Sequence, residues 1–159
     1  GPLRQPLPAR LAPRVAVLYN APRATTPLPG AVLQRRLSGA VALSGWHQGA
    51  PMDWPTLDAL RGRHLCAIAG IASPARFFSM LQALGLSIDA QPLPDHAPLH
   101  TLPWPDGTPD VVCTEKDAVK LDPARCGATR VWVVGLDLTL PEDLPATLQG
   151  WIAPPRPTP

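Results

Sequence analysis

The stretch HLCAIAGIASPARFF, residues 64–78, constrains this chain more than any other. Its apolar half, His64–Ala69, has the length of one buried strand and is too short for a helix. Gly70 closes it. Ser73 then stands as an N-cap, with Pro74 at the first helical position, where its missing N–H costs nothing. Phe77, Leu81 and Leu84 follow at spacings of four and three, which places them on one helix face. Gly85 ends the helix. A strand, a glycine turn and an amphipathic helix make the repeating unit of a layered α/β sheet.

Other segments extend that unit. Val15–Tyr19 is a continuous apolar run that reads as a buried strand, and Ala40–Leu43 is a weaker candidate. Ile88–Leu93 is a short strand ahead of Pro94. Asp110–Cys113 (DVVC) and Arg130–Leu136 (RVWVVGL) are further strands. Thr114 and Asp117 have the spacing of a capping box, opening a short helix through Leu121. Glu142–Trp151 predicts a last helix with Pro145 in its first turn. Apolar strands alternating with helices predict an α/β fold, a mostly parallel sheet with flanking helices. Val15–Tyr19, His64–Ala69, Asp110–Cys113 and Arg130–Val134 are expected as neighbours in it. One domain is expected over 1–152, with 1–14 as a linker and 153–159 as a proline-rich disordered tail.

Composition removes several classes. With 159 residues, 45% hydrophobic and 16% charged, the chain can bury a core. A net charge of +2 without a polybasic run gives no field for nucleic acid. Most of the 23 prolines cluster in 2–29, 92–109, 141–145 and 154–159, which read as connectors. Cys66, Cys113 and Cys126 form no CxxC pair and read as buried, reduced thiols. No apolar stretch reaches transmembrane length. The chain opens on GPLR without an initiator Met, as a fragment or as part of a longer chain.

Four segments carry chemistry. The turn Gly70–Ser73 would present backbone N–H groups to an anion at the sheet's carboxyl edge; it lacks the Gly-Lys-Ser/Thr ending of a Walker A loop, and a structural turn is the plain alternative. In Pro94-Asp95-His96 a carboxylate can orient an imidazole and tune its basicity, whereas an Asp-His pair in a proline-rich loop also makes an ordinary turn. CTEKDAVK, residues 113–120, places four charges directly after a strand; a solvated helix start is the alternative. Arg4 can bind phosphate. His47, His64 and His100 show no ligand spacing with His96, so no metal site is expected.

In their order and spacing, GPLRQP, the strand ending at Asn20, AIAGIASPARFF, LPDH and CTEKDAVK resemble the lipid A 4'-kinase (tetraacyldisaccharide 4'-kinase) family. The resemblance covers residues 1 to about 140, with Thr114–Lys120 and Ala69–Phe78 its most specific parts. Gln5 stands where the family has Glu, Ala72-Ser73 where Gly-Asn or Gly-His is usual, and Ala21 where Gly follows the Asn.

The resemblance implies the C-terminal lobe of a two-domain P-loop kinase. Such an enzyme moves the γ-phosphate of ATP to the 4'-hydroxyl of tetraacyldisaccharide 1-phosphate, with Mg²⁺, at the cytoplasmic side of the bacterial inner membrane. The Walker A loop, the catalytic aspartate, the metal-binding carboxylates and the membrane-docking helix would belong to an N-terminal P-loop domain, and this part alone is expected to be inactive. Carried over residue by residue, His96 would assist that aspartate, with Asp95 as its orienter. Arg4 would lie beside the phosphate site. Thr114, Glu115, Lys116, Asp117 and Lys120 match the family's TEKDAVK block, whose role is partly architectural, and Gly70, Ser73, Thr114 and Lys116 would contribute to nucleotide binding. A non-catalytic sugar- or nucleotide-binding α/β module is the rival from another class, and a purely structural fragment is a second.

Overall fold

Successive side chains of a strand point to opposite faces, so a strand apolar throughout must be covered on both. His64–Ala69 meets that condition, with everything after His64 buried. A computed structural model describes residues 6–94, 98–99 and 101–152. In chain order they form β1 (Leu18–Tyr19), β2 (Ala31–Val32), β3 (Gln34–Ala42), α1 (Leu43–His47), α2 (Trp54–Asp58), β4 (His64–Ala69) and α3 (Pro74–Ala83). There follow β5 (Ser87–Pro92), β6 (Asp110–Thr114), α4 (Glu115–Ala118), a 3-10 turn at Pro123–Arg125, β7 (Arg130–Thr139) and α5 (Leu144–Ile152). The described residues divide into two compact units, 6–35 with 138–152 and 36–137.

The larger unit is built on a sheet of order β3-β7-β6-β4-β5. β4 pairs in parallel with β5 (Leu65 opposite Ile88) and with β6 (Cys66 opposite Val111), and β6 pairs in parallel with β7 (Val112 opposite Trp132). Alternation along these strands divides the core. Leu65, Ala67 and Ala69 of β4 join Val112, Val134 and the Phe77, Phe78 and Leu81 stripe of α3 on one face. Cys66 and Ile68 join Val111, Cys113, Val133, Ala118, Leu121 and Trp104 on the other. Phe77 is 1% exposed and Leu81 0%, as the helical spacing predicts. A fully buried leucine of this kind contributes about 1.5–3 kcal/mol through the area it removes from water.

The amino end of the sheet is held by a buried carboxylate. Asp110, 3% exposed, accepts from Arg130 Nη2 at 2.6 Å, Trp132 Nε1 at 3.0 Å and Arg63 Nη1 at 3.4 Å. The Arg63 guanidinium also lies 5.9 Å from the Trp132 ring centroid. Burial opposes the charge on Asp110. The hydrogen bonds from Trp132 and Arg130, with the positive charge of Arg130 and Arg63, outweigh it and hold the carboxyl below its ordinary value.

The smaller unit differs from expectation. The run Val15–Tyr19 does not enter the main sheet: only Leu18 and Tyr19 are extended, paired in parallel with Ala31 and Val32 in a separate two-stranded sheet. Val15 is 46% exposed, so continuous apolarity there does not mark burial. Tyr19 is buried, and its hydroxyl lies 2.6 Å from Thr26 Oγ1 and donates to the Leu28 carbonyl at 2.7 Å, which fixes the intervening loop. Asn20 accepts from Arg35 Nε at 2.9 Å. In α5, Pro145 occupies the first turn, where it removes no helical hydrogen bond.

Candidate functional site

Parallel strands put their carboxyl ends on one edge, and in the larger unit the chain leaves β4, β5 and β6 there. β4 runs into Gly70 and then α3. β5 continues through Leu93, whose N–H donates to the Ala69 carbonyl at 2.9 Å, to Pro94. β6 ends at Thr114 and turns directly into α4.

Asp117 joins these ends. Its side chain is 0% exposed and turns back from the first turn of α4 toward the β4 end. Gly70 N–H donates to both carboxylate oxygens, at 3.2 Å and 3.1 Å, and the Thr114 hydroxyl donates to Oδ2 at 2.7 Å. No buried side-chain polar atom among the described residues lacks a partner. Thr114 makes no side-chain bond to a backbone N–H of α4, so the capping box expected from the sequence is not formed. The threonine gives its proton to Asp117, and Asp117 reaches across to another strand rather than to its own helix.

Gly70 fits that arrangement because it has no side chain. A Cβ there would stand 2.8 Å from Asp117 Oδ1, 3.4 Å from the Pro94 carbonyl oxygen and 3.5 Å from Leu93 Cβ. The ends of three adjacent strands therefore surround one glycine, where a Cβ would be too close to the Asp117 carboxylate. Cys113 lies just below. Burial, then the charges of Asp117 and Cys126, push its thiol far above the ordinary range, which makes it inert at neutral pH. Cys66 and Cys126 are also buried and free, and burial raises both.

Of the residues singled out in the sequence, the structure brings Gly70 and Thr114 together through Asp117. The N–H of Gly70 is occupied by that carboxylate. Ser73 occupies the N-cap position of α3, is exposed, and makes no cap hydrogen bond. Lys116 is exposed on α4. Arg4, Asp95 and His96 lie outside the described residues. Among the described residues no three His, Cys, Asp or Glu side chains converge to hold a metal ion. Sequence reasoning missed Asp117 as the centre of the edge; its offset from Thr114 was visible, but the contact with Gly70 spans 47 residues.

A mostly parallel sheet covered by helices, with glycine and threonine turns meeting at its carboxyl edge, places the larger unit in the class of layered α/β domains. The family model for tetraacyldisaccharide-1-P 4'-kinase matches residues 1–153, and the chain belongs to that family. Tetraacyldisaccharide 4'-kinase of Methylibium petroleiphilum is 50% identical over 97% of this chain and 44% of its own length. That of Leptothrix cholodnii is 47% identical over 99% of this chain and 46% of its own. The chain thus spans less than half the length of these relatives. The crystal structure of LpxK from Aquifex aeolicus in complex with ATP superposes with a TM-score of 0.53, covering 81% of this chain and 38% of that one. At 18% identity the likeness establishes the fold alone.

Proposed function

We propose that this chain is the C-terminal part of a lipid A 4'-kinase, which transfers the γ-phosphate of ATP to the 4'-hydroxyl of tetraacyldisaccharide 1-phosphate, and that this part alone does not turn over. The observation that carries the reading is the family match over residues 1–153. Phosphoryl transfer needs a phosphate cradle, a base at the acceptor hydroxyl and cations on the developing charge. By analogy with the family's division of labour, ATP and Mg²⁺ are assigned to an N-terminal P-loop domain. The contribution of this part is Arg4 near the phosphates and His96, oriented by Asp95, beside the base.

No helix among the described residues is long and apolar enough to cross a membrane. The proposed location is peripheral, at the cytoplasmic side of the inner membrane, with the lipid contact made through the N-terminal part.

An ATP-dependent phosphorylation assay on tetraacyldisaccharide 1-phosphate tests the reading. The full-length protein should form the 4'-phosphate and the 159-residue chain should not. No product from the full-length protein would overturn the kinase reading, and saturable binding of sugar or nucleotide by the short chain would favour a binding module. Turnover by the short chain would overturn its dependence on the other part.

A further inference from the structure

We propose that Asp117 is the positioning residue of the carboxyl edge, holding the ends of β6 and β4 in the register that places the end of β5 for phosphoryl transfer. The inference rests on the kinase reading above and adds a residue to it.

Three observations carry it. Asp117 is 0% exposed, so it acts through its neighbours and does not touch substrate. It accepts from the Gly70 N–H, shared over two oxygens, and from the Thr114 hydroxyl at 2.7 Å, donors that lie at the ends of different strands. Gly70 directly follows Ala69, whose carbonyl accepts from the Leu93 N–H at 2.9 Å, so a shift of Gly70 on loss of Asp117 passes through the backbone into the root of the segment that continues into Asp95 and His96. Packed groups with no free space transmit displacement instead of absorbing it. A misplacement near 1 Å, imposed from outside the reacting centre, can cost about 10²-fold in rate.

The chemistry explains why the residue is an aspartate. A carboxylate accepts on both oxygens. An asparagine has one acceptor oxygen, so the Gly70 N–H keeps one of its two acceptors and the Thr114 hydroxyl must reverse from donor to acceptor. Asp117→Asn keeps the volume but replaces two charge-assisted hydrogen bonds by weaker neutral ones.

The test uses the full-length protein, with kcat, KM for ATP and for tetraacyldisaccharide 1-phosphate, and thermal unfolding measured side by side. Asp117→Asn should lower kcat about 10- to 100-fold with KM for ATP little changed. Thr114→Val, which removes the hydroxyl, should lower kcat in the same way, and Thr114→Ser should stay roughly tenfold above it. The double variant Asp117→Asn/Thr114→Val should be scarcely worse than either single one, because both break one contact. Leu81→Ala, which takes no part in the edge hydrogen bonds, is the control for lost stability: assayed below its melting temperature it should keep kcat. A folded Asp117→Asn enzyme with wild-type kcat would overturn the proposal. So would equal rates for Thr114→Ser and Thr114→Val, which remain informative even if Asp117→Asn does not fold. A control that loses kcat in step with Asp117→Asn would reduce the effect to stability and overturn it as well. Absence of 4'-kinase turnover in the wild-type protein is a different result: it removes the kinase reading, and the proposal with it.

Discussion

Arg130 donates to Asp110 at 2.6 Å across the β6–β7 pair, joining a guanidinium 57% exposed to a carboxylate 4% exposed. The two are paired residues of adjacent strands, so the contact pins the register where both strands begin. The folded carboxyl lies below its ordinary value, so its charged form favours folding. That stability is complete above the unfolded value, about 3.9, and is lost as pH falls through the folded one. Asp110→Asn should destabilise the protein by about 1–3 kcal/mol at neutral pH. Denaturant unfolding from neutral pH to below 3.9 should show wild type and variant converging as the pH drops. A constant difference across that range would contradict the assignment.

Leu81 is fully buried between α3 and the sheet. Leu81→Ala leaves a cavity that closely packed neighbours fill only in part, at a cost of about 2–5 kcal/mol. Chemical denaturation should show a lower midpoint with an unchanged slope. A loss under about 1 kcal/mol would mean the site collapses around the smaller side chain.

These two residues also show what could be read in advance. Leu81 was legible because its partners in pattern, Phe77 and Leu84, are close in sequence. The strand, glycine turn, Ser-Pro start and apolar stripe all point one way, and α3 follows. Asp110 was not, because its partners stand 20, 22 and 47 residues away and nothing local marks it as buried. The same holds for Asp117 and Gly70. Val15–Tyr19 fails for the complementary reason. Its run satisfies a local rule, but which strands pair is a long-range matter, and the chain pairs Leu18 and Tyr19 with Ala31 and Val32. The helix α2 had a legible signal that went unused: Asp53 caps it through Thr56 N–H at 2.6 Å, with Pro55 in the first turn.

Gly39 predicts a backbone effect. Its φ is +132°, and a Cβ there would stand 2.7 Å from the backbone carbonyl carbon and oxygen of Asp53. Ala40 exchanges hydrogen bonds with Asp53 at 2.9 Å and 3.1 Å, so the two segments cannot separate without breaking that bridge. Gly39→Ala should therefore cost at least about 1–3 kcal/mol from backbone strain, with the clash added to it. Thermal unfolding of the variant checks this, and a melting temperature equal to wild type would show that the bridge is not a constraint.

The last prediction concerns His96, whose role follows from the kinase reading. In that reading the imidazole stands beside the base contributed by the N-terminal part, and it raises or lowers that carboxylate's basicity as the 4'-hydroxyl loses its proton. The alternative is a turn residue that serves only its own loop. Steady-state kinetics of full-length His96→Ala separate the two. A catalytic neighbour predicts a fall in kcat of about 10²–10⁴ with thermal stability nearly unchanged. A turn residue predicts wild-type kcat and a stability loss of at most about 1 kcal/mol. Asp95→Asn adds a second reading of the same loop. If the carboxylate orients the ring, this variant should lower kcat by less than His96→Ala and shift the pH-rate profile, because a neutral amide no longer favours the imidazolium. A full-length His96→Ala enzyme with undiminished turnover would end the case for this histidine while leaving the family assignment intact.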